Sequence, residues 1–219
     1  MRRFISILFL FCVLTTLRPG AAFAAEAGWE VISTDNGIEV AKKTMPDSAL
    51  FAFRGEGVVD VHLSVLAGLL LDDVKGPEWV DLMEESEPLQ RDSEYSKIIY
   101  QAYGLPWPIQ DRDYVMRKQG TFDQDTKVFT LQFQSIETPL KGEDDCCVRA
   151  TAHRTFWRLK ALPDGKTNAE VEVFTDPKGL LPSWLINLIQ KDWPRNTIEG
   201  LTARASKGDI QGHKDAVDW

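Results

Sequence analysis

Between residues 128 and 134, apolar and polar side chains alternate. Phe129, Leu131 and Phe133 fall on one side, and Thr130, Gln132 and Gln134 on the other. A period of two places the two sets on opposite faces of a strand. Val171 and Val173 oppose Glu170 and Glu172 in the same way. A sheet with one hidden and one wet face predicts antiparallel pairing. Similar segments at 83–90, 95–103, 112–123, 127–137, 147–162 and 168–176 are separated by turn-forming runs such as Asp123-Gln124-Asp125 and Pro163-Asp164-Gly165. Upstream, 37–45 and 49–60 read as a hairpin entered from Asn36-Gly37.

Two stretches carry the helical period instead. In 61–73, Val61, Val65, Leu69 and Asp72 lie a turn apart, with Leu66 and Leu70 beside them. A short helical turn is expected around 78–80, after Gly76-Pro77. The longest stripe spans 182–206 and is built from Leu185, Leu188, Ile189, Trp193, Thr197, Ile198, Leu201 and Ala205. Pro194 sits inside it and predicts a kink. The fold class is therefore α+β: a curved antiparallel sheet wrapped around one long C-terminal helix. Such a sheet must cover its apolar face, and one helix can leave an elongated cavity beneath it. Phe129, Leu131 and Phe133 from the sheet, and Leu185, Leu188, Ile189 and Trp193 from the helix, are candidate lining residues.

The first 24 residues stand apart. Arg2 and Arg3 precede an apolar run from Phe4 to Leu14, Pro19-Gly20 follows, and Ala22-Phe23-Ala24 has a small-x-small pattern. This reads as a secretory signal peptide, because the run is short for a membrane span. The expected organisation is a leader at 1–24, one domain at 25–208 and a loose polar tail at 209–219. Loss of Arg2, Arg3 and Arg18 with the leader would deepen the formal charge from −8 to −11. That charge disfavours nucleic acid as a partner. Cys146 and Cys147 would be the remaining cysteines. As strand neighbours they would point apart as two thiols; a vicinal disulfide is the alternative in an oxidising compartment. Export with so few cysteines suggests a periplasmic or secreted protein, and a monomer is expected.

The segment "GLPWPIQDRDYV", 104–115, carries the most specific signal. Pro106-Trp107-Pro108 followed by Arg112-Asp113-Tyr114 resembles the corresponding stretch of START domains, the steroidogenic-acute-regulatory-related lipid transfer modules of the helix-grip superfamily. Gly37-Ile38, Trp79 and "WPRNTIEGL" at 193–201 support the resemblance, which covers about 29–205. It implies a lipid-like ligand, held between sheet and C-terminal helix, and allows transient membrane contact. It places the 104–111 loop near the tunnel mouth, with Trp107 as an apolar cap and Tyr103 and Tyr114 nearby. Arg112 and Asp113 would then clamp loop to strand. Family tunnels often hold a buried acid–base pair; the matching positions here are Gln101 and Lys118. Glutamine departs from that pattern and leaves a neutral anchor, with Lys118 turned to water as the alternative.

No cofactor or metal is expected. His62, His153 and His213 lack metal-ligand spacing, and no nucleophile elbow or P-loop is present. The competing expectation is a cyclase- or hydratase-type enzyme on the same fold. It would need at least two of Arg112, Asp113, Lys118, His153 and Arg154 to converge inside one cavity. A third is an interaction module with an open apolar groove.

Overall fold

The computed structural model describes residues 28–143 and 145–219. The leader at 1–24 lies outside them. Ten strands form one sheet: β1 (Trp29–Asp35), β2 (Ile38–Thr44), β3 (Phe51–Val59), β4 (Met83–Arg91), β5 (Ser96–Tyr103), β6 (Asp111–Asp123), β7 (Val128–Ser135), β8 (Cys147–Arg149), β9 (Thr151–Ala161) and β10 (Thr167–Asp176). Their spatial order is β1-β2-β3-β10-β9-β7-β6-β5-β4, all antiparallel along that path. The predicted strand 147–162 is two strands. Its first piece, β8, pairs in parallel with the start of β6, opposite Asp111 to Asp113. Cys146 and Cys147 at its head are joined by a disulfide.

Three helices cover the concave face: α1 (Leu63–Leu71), α2 (Ser183–Gln190) and α3 (Trp193–Ala205). Helix α1 begins under His62, whose ring accepts from the Ser64 N–H. It ends where Asp72 turns outward and accepts the N–H groups of Val74 and Lys75, the local bond that favours aspartate in turns. Gly76–Glu78 then makes one 3-10 turn.

The single long helix expected at 182–206 is two helices. Pro194 has no N–H for the Gln190 carbonyl, and its ring excludes that carbonyl. The break therefore falls just before it, at Lys191-Asp192. Helix α3 presses hard on the sheet. A Cβ at Gly55 of β3 would lie 2.8 Å from Pro194 Cβ, and one at Gly200 would collide with the Trp79 carbonyl. Ile198 and Leu201 of α3 are fully buried with Leu66, Leu69, Phe129, Leu131 and Leu159.

The outer face is not simply wet. Ile98, Tyr100, Ala102 and Val115 form a second apolar cluster there, joined by Leu89 and Ile136. The tail is not loose either. His213 donates its N–H to the Ser64 carbonyl and stacks on Phe122 at 4.7 Å. Ala216 is buried, and Trp219 Nε1 donates to Gln124 at 2.8 Å. Arg204 of α3 reaches back to Asp209 through two hydrogen bonds and to Glu78 through a third. Residues 209–219 thus strap α1 and α3 to the far end of β6.

Two outcomes follow from this packing. Gly55→Val should destabilise the fold by about 1–3 kcal/mol through overpacking, or roughly 2–4 °C in Tm per kcal/mol. An unchanged Tm would mean α3 is not seated on β3. Deleting 209–219 should lower Tm by at least about 5 °C on the same scale, whereas a free tail would leave it unmoved.

Candidate functional site

A cavity lies between the concave face and the helices. Period-two alternation along β6 turns Arg112, Tyr114, Met116 and Lys118 inward, and all four line it. Facing them across the ladder are Tyr103 and Gln101 of β5, and Phe133 of β7. Trp79, Ile186, Ile189, Trp193 and Thr197 form the opposite wall. The hollow offers about 130 Å³ to water, room for roughly four molecules at ~30 Å³ each. That is below the ~300 Å³ at which small-molecule sites usually begin.

Helix α2 covers the cavity lightly. Ile186 is its one buried residue. Polar latches do the rest: Asn187 accepts from Phe51 N–H at 3.0 Å and donates to the Ala49 carbonyl at 3.1 Å, while Gln190 donates to Thr175 at 2.8 Å. Helix α3, by contrast, is locked at Gly55. The two halves of the C-terminal amphipath therefore have different roles.

Near the loop end of the cavity, Arg112 is buried, and among the described residues it makes no ion pair within 4 Å. It donates to the carbonyls of Pro177 at 2.9 Å, Lys178 at 3.2 Å and Gln110. Desolvation holds its pKa below the usual arginine value. It joins the 104–110 loop to the segment that leads into α2. Arg112 thus pins the strand start to the loop, as expected of the clamp. Asp111 adds a second tie, accepting the Leu105 N–H at 2.9 Å. Asp113 points to the other face and takes Arg149 in a two-pronged pair at 3.0 Å.

Tyr103 and Tyr114 meet edge to face at 5.6 Å, and burial raises both phenol pKa values, Tyr114 to about 12. Tyr103 donates to Gln101 at 3.1 Å. Gln101 therefore holds Tyr103 and does not face Lys118; the residue opposite Lys118 is Lys97.

Lys118 does not reach water. Its ammonium donates to Asp73 at 2.7 Å, and Lys97 donates to the other oxygen of Asp73 at 2.6 Å. Lys97 also donates to the Leu71 carbonyl, one of the orphan acceptors at the end of α1. Burial pushes the Lys118 ammonium down to about 8 from 10.5, with Asp73 pulling the other way. The acid of the buried pair is thus Asp73, which sequence reasoning did not single out.

Other candidates lie elsewhere. Trp107 is 92% exposed and caps nothing. Phe129 and Leu131 are fully buried in the core beneath α1, outside the lining of this cavity. Leu188 faces solvent, and Leu185 is half-buried outside the lining. His153 stacks on Phe174 and Arg154 pairs with Glu172, both outside the cavity.

Comparison with known proteins places this geometry. An uncharacterized protein of Pseudomonas aeruginosa is 28% identical over 193 residues, 85% of this chain and 91% of the relative. The phosphatidylcholine transfer protein of Bos taurus is 27% identical over 189 residues, 84% and 85% of the two chains. The structure of human STARD10 superimposes with a TM-score of 0.77 at 19% identity, covering 84% of this chain and 75% of that one. The START domain family model matches residues 21–199. Together with the curved sheet closed by its C-terminal helices, that match makes this chain a member of the START domain family.

Proposed function

We propose that this protein binds one lipid-like molecule in the cavity and exchanges it at a membrane surface, with α2 as the lid. The carrying observation is the contrast between a locked α3 and a lightly held α2 over an apolar hollow. A guest there would lose water contact at about 25 cal/mol per Å² of apolar surface. The hollow is too small for a two-chain lipid unless α2 swings outward, and the break before Pro194 supplies the hinge.

Four large apolar side chains rim that lid. Trp107, Leu180, Trp184 and Leu188 are 92, 103, 68 and 52% exposed. Arg112 ties the loop bearing Trp107 to the segment bearing Leu180, so these side chains belong to one end of the molecule. Exposed apolar groups grouped beside a ligand entrance favour a membrane interface. The acidic surface favours neutral over anionic bilayers. The leader pattern at 1–24 supports work outside the cytoplasm, which N-terminal sequencing of the mature protein near Ala25 would test.

An enzyme reading has less support. Of its five candidate groups, Arg112 and Lys118 line the cavity. They lie six residues apart on one strand, roughly 20 Å, and serve different partners.

The test is transfer of a fluorescent phosphatidylcholine between neutral vesicles, with native mass spectrometry of the purified protein. A one-to-one lipid complex and protein-dependent transfer are expected; absence of both would end the proposal. W107A with W184A should weaken vesicle binding by tenfold or more, since burying each indole is worth on the order of 2 kcal/mol. Asn187→Ala, which releases one latch, should speed uptake severalfold with little change in Tm.

A further inference from the structure

The charged side chains that line the cavity balance one another. Asp72 and Asp73 stand against Arg112 and Lys118, two of each sign. Lys75 engages Asp72, Lys118 engages Asp73, and Arg112 donates to three carbonyls. The hollow therefore asks for no net charge from a guest.

The unanswered groups are neutral and lie on the helical wall. Trp79 Nε1 and Thr197 Oγ1 are the buried side-chain polar atoms without a partner among the described residues, and both residues line the cavity. Thr197 is fully buried on α3. A hydroxyl inside a helix has a ready acceptor in the carbonyl four residues earlier. On the same helix Thr202 uses it, donating to Ile198 at 2.8 Å, and Ser206 donates to Thr202 at 2.8 Å. Thr197 makes no such bond, and its hydroxyl is left to the hollow. The Trp79 ring stands edge to face on Trp157 at 6.0 Å, which fixes where its N–H points. The Trp79 backbone passes against Gly200, about one turn of α3 beyond Thr197, so the two groups share one wall. An indole N–H can only donate, and a hydroxyl has one proton to give. Leaving both buried and unpaired is costly.

We propose that Trp79 and Thr197 form a carbonyl subsite, which takes the uncharged acyl oxygen of an ester or amide in the guest. A carbonyl oxygen has two lone pairs and accepts the indole N–H and the hydroxyl together. It brings neither a charge nor a further donor into the wall. The subsite thus selects the linkage between chain and head, not the head itself. This assignment rests on the lipid-binding reading of the cavity.

Delipidated protein would be titrated with dihexadecanoyl phosphatidylcholine and its dihexadecyl ether analogue, and with methyl hexadecanoate, N-methylhexadecanamide and hexadecyl methyl ether. Binding would be read by native mass spectrometry and calorimetry. In at least one series the carbonyl compound should bind tenfold or more tighter than the ether, and the ester-to-amide ratio identifies the linkage. Thr197→Val and Trp79→Phe should each erase that preference while keeping ether binding within about twofold. Thr197→Val should also leave the Tm of the delipidated protein unchanged or raised, since it removes an unpaired hydroxyl at constant shape. If the ethers match the carbonyl compounds in both series, water and not the guest answers these donors, and the subsite is overturned while the lipid reading stands. A preference that survives both substitutions, or a Tm lowered by several degrees in Thr197→Val, overturns it equally. If none of the five binds, the lipid reading itself falls. Should Trp79→Phe fail to fold, Thr197→Val and the ester-to-ether ratio on the unaltered protein still decide.

Discussion

Everything in this fold depends on how closely one helix can approach the sheet. Gly55 removes a side chain from β3 where Pro194 arrives, and Gly200 removes one from α3 where the Trp79 backbone passes. Those two absences let α3 pack to full burial at Ile198 and Leu201. The proline that makes the contact also ends the helix before it. The chain thus cannot continue the tight seat into α2. A curved sheet gripped firmly at one point and loosely beyond it leaves a hollow, and the latches of Asn187 and Gln190 close that hollow without filling it.

Much of the architecture was legible because it is periodic. The alternation at 128–134 gave β7, and the stripe after Pro182 gave the covering helices, since buried faces must repeat at the strand or helix period. Pro194 marked the break for a local reason. What was not legible had no period to read. Trp107 sits in a loop between prolines, where no alternation assigns a side, and it turned outward. The tail from Asp209 looked polar, yet His213 and Trp219 meet partners about 90 to 150 positions earlier, at Ser64, Phe122 and Gln124. The division of 147–162 into β8 and β9 depends on β8 leaving to pair in parallel with β6, a tertiary choice with no local signal.

The buried acid was missed for the same reason. Asp73 follows α1 in "LLLDDV", where two aspartates read as the polar end of a helix. One of them is that: Asp72 makes the turn. The other points inward because the turn rotates it there, and its partners come from β5 and β6, 24 and 45 positions away. Lys118 was identified from the family resemblance, but its match to Gln101 was out of register by the spacing of two inward positions.

Arg112 and Lys118 show two ways of holding a buried cation. Both are buried, both face inward, and both stand on β6. Arg112 meets carbonyls at Nε and at both terminal nitrogens, so its charge is absorbed where two chain segments meet, its own approach to β6 and Pro177-Lys178. Among the described residues Lys118 has one acceptor, Asp73, for three donors and shares it with Lys97. Taking charge out of water is tolerable only when good geometry compensates it, and here the protein compensates one cation fully and the other in part. Residue type and burial do not separate the two. Unfilled hydrogen-bond capacity facing a cavity does, and it is the same criterion that singles out Trp79 and Thr197 on the opposite wall.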